Sequence, residues 1–238
     1  ADGTRLYYCD AKLPEFEYTN FEASLVAHYD SLHYDIYSIP FDTVTYTFGE
    51  PRIEVDASSS GLSASVPRLS PDGRWLTYAL ATYGQFHLYH RDADLWIKPI
   101  SNNDGIPDNS TTGNFPLTSD TTGSALSVFP AWPLSATNSH EAESSHSWSS
   151  NSRWIAFSSR RDDSDFTRTY IAYIDANGRG HRAFLLPQRD PEYNLLLIKS
   201  YNVPELSRNP IPITQEQMNH VIRHTEPEIA KYIQTTNP

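Results

Sequence analysis

The chain has 238 residues, a formal net charge of −11 and no long run of Lys or Arg, which argues against a nucleic-acid partner because phosphate binding needs clustered cations. The longest uninterrupted aliphatic run, Leu195 to Ile198, is far short of the roughly 20 apolar residues of a membrane helix, so no transmembrane segment is expected. Aromatic residues make up 13% of the chain, with 15 Tyr and 5 Trp, a balance that favours pleated, half-buried strands over helical bundles.

Three segments share a turn-plus-strand pattern in chain order: Ala1-Asp2-Gly3-Thr4-Arg5-Leu6-Tyr7-Tyr8, Pro71-Asp72-Gly73-Arg74-Trp75-Leu76-Thr77-Tyr78 and Ser150-Asn151-Ser152-Arg153-Trp154-Ile155-Ala156-Phe157. Asp-Gly supplies a tight turn, because Asp bonds its own backbone and Gly tolerates positive φ; the alternating run behind it reads as a strand. Asp2 and Gly3, Asp72 and Gly73, and Asn151 and Ser152 are therefore the structural turn residues. Further strands are expected at Asp35–Ile39, Asp94–Ile100 and Tyr170–Ile174. Recurring short strands behind a repeated turn predict an all-β chain of propeller blades, about three repeats over 1–206.

The turn motifs lie 70 and 79 residues apart, longer than a plain blade, so insertions are expected. Residues 104–143, rich in Ser, Thr, Asn, Gly and Pro, read as a long exposed loop suited to a partner. The first residues already sit inside the turn motif, and three repeats are fewer than a closed ring uses. The expectation is thus a partial or carboxy-terminal portion of a propeller that another chain or fragment completes. Beyond residue 206 the pattern changes: Thr214-Gln215-Glu216-Gln217 has capping-box spacing, which predicts a helical tail over 207–238, broken at Pro227.

Leu69-Ser70-Pro71-Asp72-Gly73-Arg74-Trp75-Leu76 resembles the PD40 (WD40-like) repeat of TolB-like β-propellers, and His146-Ser147-Trp148-Ser149-Ser150-Asn151-Ser152-Arg153-Trp154 resembles a divergent copy. With Phe157 to Asp163, Phe184 to Gln188 and Lys199 to Glu205, the likeness extends to exported PD40 proteins of Gram-negative anaerobes. The resemblance implies a periplasmic, outer-membrane or cell-surface propeller, often a lipoprotein, without catalytic residues or cofactor. Asp30-Ser31-Leu32, Asp42-Thr43-Val44 and Asp120-Thr121-Thr122 resemble the O-glycosylation acceptor of such proteins.

Candidate chemistry is sparse. The nearest approach to the nucleophile elbow G-x-S-x-G is Gly61-Leu62-Ser63-Ala64-Ser65, which lacks the second glycine, so a serine hydrolase is not expected. Asp92 and Asp94 beside His87 and His90 could offer oxygen and imidazole ligands, but they read more simply as turn caps, and Asp162, Asp163 and Asp165 as a hairpin tip; no metal is expected. His140 and His146 flank an acidic pair. Trp75, Trp148 and Trp154 fall at repeat positions and read as packing between blades, with stacking on a sugar as the alternative. Candidate binding residues are thus Trp75, Trp148, Trp154, His146, Asp92 and Asp94. The expected role is a non-enzymatic module that binds a protein partner, with a carbohydrate- or peptide-binding subunit and the accessory propeller of a hydrolase as alternatives.

Overall fold

A computed structural model describes residues 3–12, 26–100, 131–196 and 198–224. These fall into two compact units, Ala1–Leu206 and Ser207–Pro238. Asp2, the stretch 104–130, Asp120-Thr121-Thr122 and Pro227 lie outside the described residues.

The larger unit is built from three antiparallel sheets. The first comprises β1 (Arg5–Ala11), β2 (Tyr34–Asp42), β3 (Thr47–Phe48) and β4 (Arg52–Val55), with β1 on one side of β2 and the broken pair β3 and β4 on the other. The second runs β5 (Ser63–Leu69), β6 (Trp75–Ala81), β7 (Asp94–Pro99) and β8 (Trp132–Pro133) as a simple meander. The third repeats it with β9 (Glu143–Trp148), β10 (Trp154–Ser159), β11 (Arg168–Tyr173) and β12 (Phe184–Leu185). A single helical turn, α1 (Tyr193–Leu196), follows. Consecutive four-stranded meanders of this kind are what propeller blades are made of.

The repeated turn owes its shape to local hydrogen bonds, and the two complete copies match bond for bond. Ser70 Oγ donates to Asp72 Oδ1 at 2.6 Å and accepts the Trp75 amide at 3.0 Å; Ser149 Oγ donates to Asn151 Oδ1 at 2.6 Å and accepts the Trp154 amide at 3.0 Å. Gly73 (φ 73°) and Ser152 (φ 57°) both take the left-handed conformation. Asn151-Ser152 thus does the work of Asp72-Gly73, at the cost of one non-glycine residue at positive φ. Gly3 (φ 80°) occupies the same place before β1.

The first strands of the second and third sheets are bulged alike. In β5 the register shifts between Ser65 and Arg68, with Val66 at φ 52°, and β9 pairs with β10 through a shift beside Ser145 at φ 51°. Apolar faces then pack sheet on sheet. Ile36, Ala64, Leu76 and Tyr78 fill the space between the first and second, while Trp75, Leu95, Ile97, Ile155 and Phe157 belong to a larger cluster between the second and third.

One sequence expectation is corrected here. The carboxy end of the 104–143 stretch is not an exposed loop: Trp132–Pro133 is the outer strand β8, and Leu134, Thr137, Glu141, Ala142 and Glu143 are buried. Its serines and threonines misled because they serve internal bonds, as when the Thr137 hydroxyl donates to the His181 carbonyl at 2.9 Å.

In the smaller unit, α2 (Gln215–His224) starts where the capping box predicts: the Gln217 amide donates to Thr214 Oγ1 at 3.2 Å, and the Thr214 amide donates to Gln217 Oε1 at 2.8 Å.

Candidate binding cleft

Strand order places the loops. The turns 70–74 and 149–153 gather on one face, where the Asp72 amide donates to Ser152 Oγ at 3.0 Å. The loops 82–93 and 160–167, which join second strands to third, lie on the opposite face together with 134–142. There a cleft of about 170 Å³ opens between the second and third sheets, lined by Leu88, Tyr89, Arg91, Glu141, Ala142, Arg160 and Ser164. That volume is below the roughly 300 Å³ at which small-molecule pockets begin, and it suits one side chain or a chain end.

Two arginines and one carboxylate line the cleft. Arg91 lies 2.6 Å from the buried Glu141 carboxylate, an ion pair whose alignment falls short of a hydrogen bond. Arg160 sits with its guanidinium 5.1 Å over the exposed Tyr89 ring, a cation–π contact, and makes no ion pair within 4.0 Å among the described residues. Its backbone amide is tied to the Ala142 carbonyl at 3.1 Å and its carbonyl accepts the Ser164 amide at 2.9 Å, which fixes the turn that presents it. The cleft therefore offers a guanidinium on an aromatic ring and an apolar wall from Leu88 and Ala142, with the Asp163 carboxylate acting on Arg160 from the same loop.

Beneath it lies a buried polar network. The Glu143 carboxylate, 0% exposed, accepts from Ser139 Oγ (2.6 Å), the Ser139 amide (2.9 Å), Ser159 Oγ (2.7 Å) and Arg161 Nη2 (3.0 Å). Arg161 also donates to the Thr137 carbonyl at 2.8 Å and lies 4.4 Å over the Tyr170 ring. Asp94 stands beside this network: burial first, then the charges of Glu143 and Asp92, push its carboxyl up to about 6.

The six binding residues expected from sequence do not converge. Trp75 and Trp148 are 2% and 8% exposed and belong to the core, so neither can stack on a ligand. His146 is fully buried; its ring approaches the Thr77 backbone without hydrogen-bond geometry, and burial pushes it down to about 4. Trp75 and Trp148 thus pack between blades as their repeat positions predict, and as binding residues these two and His146 are corrected: β9 is covered on both faces, and β6 begins inside the intersheet core. Trp154 is partly exposed but turned edge-on to Tyr173 at 5.2 Å. Asp92 accepts from the amide and hydroxyl of Thr82, which makes it a turn cap. His87 accepts or donates at Ser65 Oγ (2.9 Å) and faces the Gly84 carbonyl (2.9 Å), and burial lowers it to about 4. Among the described residues no three His, Cys, Asp or Glu side chains gather as a metal site would need.

Ser63, the centre of the nearest elbow-like sequence, is buried in β5, donates to the Gly84 carbonyl and accepts the Tyr34 amide at 2.9 Å. Its hydroxyl is committed to the fold. Asp163 Oδ1 accepts the Asp165 and Phe166 amides at 3.0 and 2.8 Å, closing the hairpin tip of the acidic cluster. The residues that sequence reasoning missed are Tyr89, Arg160 and Glu141. The available signal was positional: loops following the second strand of each repeat must meet on one face.

No family model matches the sequence, and no curated relative does. Solved structures give likenesses of fold. The β-propeller domain of the trilobed protease from Pyrococcus furiosus, described as having an open velcro topology, is 12% identical, with a TM-score of 0.37 over 79% of this chain and 41% of that one. The three sheets resemble propeller blades. The acylaminoacyl peptidase of Pyrococcus horikoshii is 17% identical, with a TM-score of 0.35 over 78% of this chain and 24% of that one. The chain spans less than half the length of either structure. Likeness this distant says nothing of activity, and the blade assignment stands on strand order and register.

Proposed function

We propose that the chain is a non-catalytic module of a TolB-like PD40 propeller, exported to the periplasm or cell surface, that binds a protein partner through a carboxylate-bearing peptide segment. The observation that carries this reading is Arg160, held on Tyr89 with no ion pair within 4.0 Å among the described residues, beside an arginine already paired with Glu141. A guanidinium fork suits a carboxylate, and a cleft of this size takes an acidic side chain or a chain terminus. Burial of Trp75 and Trp148 removes two of the three rings on which a sugar-binding reading would depend.

The test is fluorescence anisotropy with a labelled random-peptide pool, prepared once with free carboxyl termini and once amidated and with acidic residues excluded. The free-carboxyl pool binds and the neutral pool does not. Arg160→Ala weakens binding about 10- to 100-fold, the worth of a charged hydrogen bond of roughly 1.5–3 kcal/mol. Equal binding of both pools, or an Arg160→Ala chain that binds as well as the parent, overturns the assignment.

A further inference from the structure

Helix α2 carries two histidines one turn apart. His220 and His224 stand at i and i+4, so both rings leave the same side of the helix, and their centroids are 4.8 Å apart with 46° between the ring planes. Both are exposed, and neither makes a hydrogen bond or ion pair among the described residues. Glu216, one turn earlier, falls on the same stripe, while Met218, Val221 and Ile222 take the opposite side. The two imidazoles are thus free of other duties and face the same space.

That spacing fits a chelate. An imidazole nitrogen binds a divalent transition ion at about 2.0–2.1 Å, which sets the ion about 3.2 Å from the ring centre along the lone-pair direction. Two neighbouring imidazoles on one ion then have ring centres about 4.5 Å apart in a square-planar site and about 5.2 Å apart in a tetrahedral one. The 4.8 Å between His220 and His224 lies between these values, so the rings can share an ion with little rearrangement. The helix in turn has reason to hold one. It has ten residues and buries none of them, and a helix below about 12–15 residues is marginal by itself. An ion held across residues 220 and 224 ties the last turn to the one before it, and places positive charge at the end where the helix dipole favours a cation.

We infer that His220 and His224 chelate a divalent transition ion, Cu²⁺ ahead of Ni²⁺ and Zn²⁺, and that ion and helix stabilise each other. Imidazole suits all three ions, and the order of the first pair is that of nitrogen sites in general. Two protein ligands leave the other positions to water, so the site is an open one, distinct from a cluster of three or more His, Cys, Asp or Glu, of which none occurs among the described residues. Because the ion joins two residues that are neighbours only in the helix, its binding energy is spent in part on forming the helix. The inference is independent of the cleft, whose residues belong to the larger unit.

The experiment titrates the full chain with Ni²⁺ alone, by calorimetry and by hydrogen exchange. The chain has nine histidines, so the site is assigned with variants. His220→Ala and His224→Ala should each weaken the tightest site about 100-fold, the loss of one arm of a two-point attachment. Ile222→His/His224→Ala keeps the number of histidines but sets them two apart on different sides of the helix, and should not restore binding. At a Ni²⁺ concentration about 100 times the dissociation constant, exchange over 215–224 should slow about 10- to 100-fold in the parent chain. Mg²⁺, a hard ion that prefers oxygen, should do neither. A parent chain that binds no Ni²⁺, or one that holds it as tightly after either single substitution, overturns the proposal. So does full affinity in the variant with histidines two apart, and so does unaltered exchange in α2 at saturating Ni²⁺.

Discussion

Arg161→Met tests how the loop end of the third sheet is braced. The substitution removes the cation that faces the fully buried Glu143 carboxylate at 3.0 Å but keeps an apolar stem over the Tyr170 ring. Breaking a buried ion pair by removing one partner costs about 3–5 kcal/mol, because the remaining charge stays buried without its counter-charge. Ser139 and Ser159 still donate three hydrogen bonds to Glu143, so the low end, about 3 kcal/mol, is expected. For a chain of this size that corresponds to a fall in melting temperature of roughly 6–12 °C, read by calorimetry. Glu143→Gln/Arg161→Met removes both charges and should recover about half of that loss, a coupling of about 1–2 kcal/mol in a double-mutant cycle. A loss under about 1 kcal/mol for Arg161→Met, or strict additivity in the double variant, would refute the view that this network braces the third sheet.

Three further measurements bear on burial and charge. Asp94 is raised in the folded state, so the folded chain holds a proton that the unfolded chain has released; stability from this group is present below its ordinary 3.8 and falls as pH rises toward about 6. Asp94→Asn should therefore stabilise the chain above pH 6 by about 1 kcal/mol, discounted for a half-exposed group, and a denaturation midpoint unchanged at pH 7 would contradict this. His146 has the opposite sign: its stability is fully present above the ordinary 6.5 and is lost as pH falls toward about 4, and His146→Leu should flatten that limb of the stability profile. Between the first and second sheets, the Lys98 ammonium donates to the Glu54 carbonyl and lies 3.4 Å from its carboxylate; burial would raise the Glu54 carboxyl, but Ser38, Lys98 and Arg52 hold it below its ordinary value. Lys98→Met with Glu54→Gln should show coupling of about 1–3 kcal/mol in urea denaturation, and Glu54's contribution should disappear as pH falls below 4.5 through its lowered folded value.

The turns were legible because every bond that shapes them is local. Ser70, Asp72 and Gly73 close one turn, and Ser149, Asn151 and Ser152 close another by the same bonds, so five or six residues carry the whole signal. The strands behind them were legible where they are long enough to alternate, as in β2, β7 and β11. β3, β8 and β12 span two residues each, too short for a period, and their pairing is imposed by the neighbouring strand. The first strands hid for a different reason. β9 reads Glu143-Ser144-Ser145-His146-Ser147-Trp148, a polar run that looks exposed in sequence but is buried throughout.

That misreading explains why the expected site dissolved and another took its place. Polar residues of an inner strand are covered on both faces, so they are spent on bonds inside the fold, chiefly to the loop that follows the neighbouring strand of the same sheet: Glu143 with Arg161, Ser63 with Gly84, Ser65 with His87. Groups left over for a ligand must then come from loops that leave the sheets, and those loops meet only after the blades are stacked. Tyr89, Glu141 and Arg160 come from three separate loops and share no spacing that a sequence could display. The inner-strand pattern itself, once seen in β5 and β9, is specific enough to locate a third copy at 200–206, where Val203 has φ 52° and the Tyr201 amide donates to the Thr167 carbonyl at 3.1 Å. A bulge that costs a non-glycine residue at positive φ persists because it aims the strand along the neighbouring blade.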